Sequence, residues 1–237
     1  MHKDCIILAG GLGTRLQSVV SDRPKCMALI NGKPFLYYIC QQLMKFHFRK
    51  IIFSVGYKKE MIIDYITSHR KEFKFAFDFA EESEPLGTGG AILNALSYSD
   101  TEDFFVINGD TFFDVNFDAL LNFQRTQMAD CTIVLKPIKN ADRYGLVKMN
   151  EQSQIIAFEE KKSGASGLIN GGVYCIYRNS FLNIPFEKKF SFEKDYLEKF
   201  INERDLYGFV QDKYFIDIGI PDDYQKAIRE LPQLFEN

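Results

Sequence analysis

Cys5-Ile6-Ile7-Leu8-Ala9-Gly10-Gly11-Leu12-Gly13-Thr14-Arg15-Leu16, with Pro24-Lys25 shortly after it, is the stretch on which the reading of this chain turns. The apolar run Cys5 to Leu8 reads as a buried first strand. Glycines at the end of a strand let the backbone come close to a ligand, with N–H groups free to point at anionic oxygens. Arg15 and Lys25 add two cations downstream. A loop of this composition suits a nucleoside triphosphate. A dinucleotide fingerprint requires G-x-G-x-x-G, and after Gly11 and Gly13 the third glycine position is Leu16. A P-loop requires Gly-Lys-Ser/Thr, which the chain lacks. The bland reading of the glycines alone is a tight strand-to-helix connection. Two fixed cations beside them are not something a mere turn needs.

Working outward, strand-like and helix-like runs alternate. Strands are predicted at 51–55, 73–79 and 104–107, and helices at 35–46, 61–69, 90–96 and 116–127, the last capped by Asn116. This alternation predicts an α/β fold with a mostly parallel central sheet covered on both faces. Further on, strands at 132–135, 146–149, 155–158 and 172–177 follow one another with little helix between them, so some pairings there should be antiparallel and the sheet mixed. A strand at 214–216, a helix at 192–202 and a closing helix from Pro221 complete the pattern. The expected organisation is a single domain over 1–237, with a nucleotide-binding half at about 1–115 and a second substrate half at about 116–237.

Composition narrows the function classes. Hydrophobic residues at 46% and charged residues at 26% are ordinary for a soluble globular protein. A net charge of -3 supplies no basic field, which argues against nucleic acid as a partner. Five scattered cysteines without a C-x-x-C pair point to reduced thiols in a cytoplasm. No signal peptide and no membrane span are expected. The three histidines, His2, His47 and His69, fall in no catalytic or metal-binding pattern. Oligomeric state is not readable from the residues, and a homo-oligomer is left open.

In open α/β sheets ligands gather at the carboxyl ends of the strands, so a triphosphate site should recruit other strand ends. Three segments qualify. Glu81 to Ala91 is glycine-rich and enters a helix, although acidic capping of that helix explains it as well in isolation. Asn108-Gly109-Asp110 follows the most apolar strand and would place a carboxylate on the crevice floor, unless it is only a turn. Asp217, after Phe215-Ile216, could add a second carboxylate. Mg²⁺ takes one or two carboxylates with phosphate oxygens and water, so the pair makes a credible site.

Taken together, these residues resemble the sugar-1-phosphate nucleotidyltransferases. The opening loop with Pro24-Lys25 looks like the family signature, with Cys26 where relatives commonly have proline. Pro85-Leu86-Gly87-Thr88-Gly89-Gly90 is similar to the base-binding segment, and Asn108-Gly109-Asp110 to the segment of the metal aspartate. Glu159-Glu160-Lys161 resembles the sugar-phosphate segment, Asn170-Gly171-Gly172 the sugar loop, and Phe215 to Pro221 the second metal aspartate with the closing helix. The motifs occur in order over essentially the whole chain. The resemblance implies a Rossmann-like three-layer sandwich of nucleotidyltransferase (GT-A-like) architecture. It implies the reaction of an NTP with a sugar 1-phosphate to give an NDP-sugar and pyrophosphate, with Mg²⁺ as cofactor.

By the same resemblance, Leu8, Ala9, Gly10, Gly11, Gly13 and Thr14 would cradle the nucleotide together with Pro85, Gly87, Thr88, Asn108 and Gly109. Arg15 would hold the outer phosphates, Lys25 would act near the reacting centre, and Asp110 with Asp217 would hold the metal. Gly145, Glu160, Lys161, Asn170 and Gly171 would bind the sugar phosphate. The chemistry agrees with the absence of a catalytic histidine: a phosphate monoester with a second pKa of about 6 is already a nucleophile at neutral pH. Glu82, three residues before Pro85, could accept both N1–H and N2–H₂ of guanine, which favours GTP over a pyrimidine triphosphate. Runs 18–25, 57–60 and 108–114 look closest to the bacterial guanylyltransferases acting on a heptose 1-phosphate, which supply GDP-heptose for capsule or lipopolysaccharide. A mannose-1-phosphate guanylyltransferase and a uridylyl- or cytidylyltransferase are the alternatives within the family. A glycosyltransferase is disfavoured because Asp110 and Asp114 are too far apart for D-x-D. A silent paralogue is disfavoured because every expected cation and carboxylate is present.

Overall fold

The protein is described here from a computed structural model, which defines residues 2–11, 16, 20, 22–139, 141–160 and 164–236. From the N-terminus, β1 (Asp4–Leu8) is followed by a short hairpin of β2 (Leu29–Ile30) and β3 (Lys33–Pro34), then α1 (Phe35–Lys45), β4 (Lys50–Val55), α2 (Lys59–Ser68) and β5 (Ala76–Glu81). Next come α3 (Gly87–Ala95), β6 (Asp103–Asn108), β7 (Thr111–Phe113), α4 (Phe117–Thr126), β8 (Cys131–Ile138), β9 (Leu146–Met149), β10 (Ile155–Glu159) and β11 (Gly167–Tyr177). The chain closes with α5 (Arg178–Leu182), a π-helical turn over Phe192–Glu198, β12 (Leu206–Val210), β13 (Phe215–Asp217) and α6 (Pro221–Glu230).

β1 lies inside a nine-stranded sheet of order β10-β9-β11-β6-β1-β4-β5, extended by β8 on β11 and β12 on β8. It runs parallel to both neighbours, with Ile6 beside Ile52 of β4 and Val106 of β6. β11 is antiparallel to β6, β8 and β9, so the sheet is mixed, as the pattern of the later strands predicts. Strand alternation divides the core in two. Cys5 and Ile7, with Phe53, Phe105 and Ile107, face α1, α4 and α6, whereas Ile6, Ile52, Phe104 and Val106 face α3, α5 and the π-helical turn. Two apolar faces covered by helices make the three-layer α/β sandwich. Among the described residues no helix is long and apolar enough to cross a membrane.

The start of β1 is fixed by charge. Asp4 is fully buried and receives Arg49 Nε at 2.9 Å, Arg49 Nη2 at 2.5 Å and Ser99 Oγ at 2.8 Å. Several elements differ from expectation. The strand expected at 73–79 begins at Ala76, because the Phe73 and Phe75 rings stack on each other at 5.3 Å and are buried before the sheet starts. The helix expected over 192–202 is a wide π-helical turn that stops at Glu198. The β2–β3 hairpin turns on Asn31-Gly32, with φ values of 48° and 77°, the left-handed pair that Asn-Gly tolerates. β13 pairs antiparallel with β7 and sets Asp217 opposite Thr111.

Candidate active site

A cleft of about 630 Å³ opens at the carboxyl ends of β1, β4, β5 and β6. Leu8, Ala9, Gly10, Gly11, Lys25, Glu82, Pro85, Gly87, Thr88, Asn108, Gly109 and Asp110 line it, so segments 100 residues apart in sequence meet in one crevice. Gly13, Thr14, Arg15 and Lys161 lie outside the described residues. Glycines make the convergence possible. A Cβ on Gly109 would come within 2.6 Å of the Leu8 carbonyl, which already accepts the Gly109 N–H at 2.9 Å. A Cβ on Gly10 would meet Glu82 Oε1 at 2.6 Å.

Lys25 opens a single 3₁₀ turn, Lys25–Met27, in which Cys26 and Met27 are buried and so anchor the lysine at the cleft. Lys25 Nζ donates to Asp110 Oδ2 at 3.0 Å. Burial, and then the Asp110 charge, push the Cys26 thiol up to about 12, which makes it an inert packing group at neutral pH. The Ile218 N–H donates to the Asp110 carbonyl at 3.0 Å, drawing the β13 end against the β6 end. Asp217 accepts the Gly219 N–H on Oδ1 at 2.7 Å and the Tyr144 hydroxyl on Oδ2 at 3.3 Å. Burial raises the Asp217 carboxyl above the usual range, and the nearby Asp110 charge raises it further; the Gly219 N–H, Lys25 and Arg143 pull it back. Two carboxylates that repel one another beside one lysine form a site in need of positive charge. Among the described residues there is no cluster of three or more metal-ligating side chains. The pair therefore suits an ion that takes its remaining ligands from phosphate and water.

Other expected residues have local partners. Glu82 accepts the Ser54 hydroxyl at 3.3 Å on Oε1 and the Leu86 N–H at 3.0 Å on Oε2, so it caps the entry to α3 while lining the cleft. Thr88 donates to Glu193 Oε2 at 2.9 Å and accepts the Phe192 N–H at 2.8 Å. The glycines of that segment serve packing: Gly87 has a φ of 72° and a Cβ on it would strike the Phe190 carbonyl at 2.5 Å, and one on Gly89 would strike the Phe190 ring at 2.1 Å. Asn170 spans a β11 bulge, donating to the Tyr174 hydroxyl and accepting from the Gly172 N–H, each at 2.9 Å. A Cβ on Gly171 would strike the Phe113 ring at 2.6 Å, and one on Gly145 the Glu159 carbonyl at 2.7 Å. Glu160 is exposed at the end of β10. Sequence reasoning missed Arg143, Tyr144 and Glu193. The first two immediately precede Gly145, which was a usable signal; Glu193 carried none.

The cleft has a lysine, a strand-end carboxylate and a glycine-closed floor, with the second carboxylate, Asp217, drawn up beside Asp110, an arrangement suited to transfer of a nucleotidyl group. The sequence pattern of the nucleotidyl transferase family matches residues 4–233. The chain belongs to the nucleotidyl transferase family. This nucleotidyl transferase is 47% identical over 228 residues to the D-glycero-alpha-D-manno-heptose 1-phosphate guanylyltransferase of Aneurinibacillus thermoaerophilus, covering 96% of this chain and 98% of the relative. It is 42% identical over 219 residues to the enzyme of the same name from Campylobacter jejuni, covering 92% and 96%. The crystal structure of HddC from Yersinia pseudotuberculosis complexed with GMP-PN superposes with a TM-score of 0.87 at 40% identity, over 97% of this chain and 99% of that one. The mixed α/β sandwich of this nucleotidyl transferase is thus also the fold of its structural relatives.

Proposed function

We propose that this chain transfers GMP from GTP to D-glycero-alpha-D-manno-heptose 1-phosphate, giving the GDP-heptose and pyrophosphate. The observation that carries the reading is the 3.0 Å contact of Lys25 with Asp110 at the mouth of the cleft, with Asp217 close enough for the Asp110 charge to bear on it. The names of the two relatives, each matched over more than nine tenths of both chains, support the sugar and the base. The GMP-PN in the Yersinia complex supports a guanine nucleotide.

The task is to bring two polyanions together and to stabilise an in-line transfer. The sugar phosphate is itself the nucleophile, so no protein base is required. Lys25 binds phosphate oxygens beside the reacting α-phosphorus, and Arg15 the β- and γ-phosphates of the leaving pyrophosphate. Asp110 and Asp217 hold Mg²⁺, whose charge, when bound, offsets that of the α-phosphate. Glu82 keeps unused acceptor positions on both oxygens for N1–H and N2–H₂ of guanine. Gly145, Glu160, Lys161, Asn170 and Gly171 would bind the sugar phosphate. Residues up to about 115 form the nucleotide side and later residues the sugar side of one domain. Five buried, unpaired cysteines fit a cytoplasmic enzyme.

A matrix of GTP, ATP, CTP, UTP and dTTP against heptose 1-phosphate, mannose 1-phosphate and glucose 1-phosphate, read by pyrophosphate release, tests this reading. GTP with the heptose phosphate should give the highest kcat/KM. A preference for a pyrimidine triphosphate would refute the role of Glu82, and faster turnover of mannose 1-phosphate would reassign the sugar.

A further inference from the structure

Asp217 is held on both carboxylate oxygens, and the two holds differ in kind. The Gly219 N–H comes from the same turn, two residues away. The Tyr144 hydroxyl reaches Oδ2 from 73 residues earlier in the chain. Tyr144 is itself fixed. Its ring packs edge-on to Phe215, two residues before Asp217, with centroids 6.2 Å apart. The Arg143 guanidinium lies 5.2 Å from the ring centroid and donates from Nη2 to the phenol oxygen at 3.0 Å. Arg143 is tied in turn to Asp223 at the start of α6. A phenol has one proton to donate. With Arg143 filling an acceptor position on that oxygen, the proton is committed to Asp217.

We propose that Tyr144 is a positioning residue that locks the Asp217 carboxylate in one orientation beside Asp110 and so pre-forms the divalent-cation site before substrates arrive. The inference rests on the reading of Asp110 and Asp217 as the ion-holding pair. A carboxylate free to rotate must be ordered when the ion binds, and that entropy loss weakens affinity; a carboxylate already held by an outer hydrogen bond avoids it. The same short segment carries Gly145, where an added Cβ would come within 2.7 Å of the Glu159 carbonyl. One strap, Arg143-Tyr144-Gly145, thereby joins the carboxylate pair to the sugar side of the cleft.

Mn²⁺ is the probe, with free ion counted by electron paramagnetic resonance in the presence of a saturating non-reacting GTP analogue. Tyr144→Phe keeps the ring against Phe215 and removes only the hydroxyl. It should weaken Mn²⁺ binding about tenfold, the low end of the effect of losing an outer-shell partner. Affinity for the analogue without metal should be unchanged, and kcat should recover at saturating Mg²⁺. Thermal unfolding checks that the fold is kept, and Asp217→Asn serves as the reference. If Asp217→Asn loses Mn²⁺ affinity while Tyr144→Phe stays within twofold of the wild type, the positioning role is overturned. If Asp217→Asn itself binds Mn²⁺ like the wild type, the assignment of Asp217 to the ion fails, and the role of Tyr144 with it.

Discussion

Lys25 Nζ and Asp110 Oδ2 form an ion pair of 3.0 Å in a half-buried place. The pair holds both groups at the cleft, where the proposed reaction would bring phosphate and a divalent cation. Removal of the lysine charge by Lys25→Gln should lower kcat/KM about 10²–10³-fold, the usual cost of one preorganised electrostatic donor, with the far-UV circular dichroism spectrum unchanged. Near-normal turnover in that variant would remove Lys25 from the chemistry. Asp217 shows the opposite balance. Burial and the Asp110 charge raise its carboxyl above the unfolded value, so between those two values the folded chain binds more protons than the unfolded one. Its contribution to stability is therefore most favourable at low pH and is lost as pH rises through the folded value. Asp217→Asn should unfold at a higher temperature than the wild type at about pH 7.5, with the gap closing toward about pH 4, while metal-dependent turnover collapses. An equal or lower melting temperature at neutral pH would count against a cost of burying the Asp217 charge beside Asp110.

At the scale of elements, α3 enters the cleft through glycines that serve its packing. Gly87 combines a left-handed φ of 72° with a Cβ position 2.5 Å from the Phe190 carbonyl, so Gly87→Ala meets strain and a backbone clash together. It should cost about 2–3 kcal/mol of stability, seen as a fall in the urea midpoint, and should weaken GTP binding, since the segment lines the cleft. Local sequence could not reveal this. Pro85-Leu86-Gly87-Thr88-Gly89-Gly90 reads locally as a ligand loop, and the atoms that forbid side chains there belong to residues about a hundred positions later. The alternation of β1, α1, β4, α2 and β6 was readable because each strand is buried on both faces and so appears as an unbroken apolar run. β7 and β12 were missed because one has three residues and the other is interrupted by Gly208, whose missing side chain admits the Met149 sulfur. The strand-end positions of Asp110 and Asp217 were readable for the same reason as the strands that precede them. The partners of Asp217 were not, because hydrogen bonds across 73 residues leave no local pattern.

For the whole molecule, the cleft joins groups from many elements, so occupancy should be felt globally. A ligand that binds only the folded chain adds about 2.7 kcal/mol at a hundred times its Kd. For a chain of this length that corresponds to a rise in Tm of about 5–10 °C. GTP with Mg²⁺ should produce such a shift in differential scanning fluorimetry, UTP a smaller one at equal concentration, and Lys25→Gln should blunt the response to GTP. A rise of the same size for every nucleoside triphosphate would show that the base is not being read.

The seat of the Gly87–Gly90 segment on Lys188 and Phe190 has one more consequence, for the order in which the protein is made. Contacts so distant in sequence are costly to close and form late. This wall of the cleft is held by residues that leave the ribosome about a hundred positions after the segment itself. The nascent protein can have β1, β4, β5 and β6 paired and still lack the seat for the Gly87–Gly90 segment. Closure of this wall of the cleft should arrive abruptly, once the Lys188–Phe190 segment has been made.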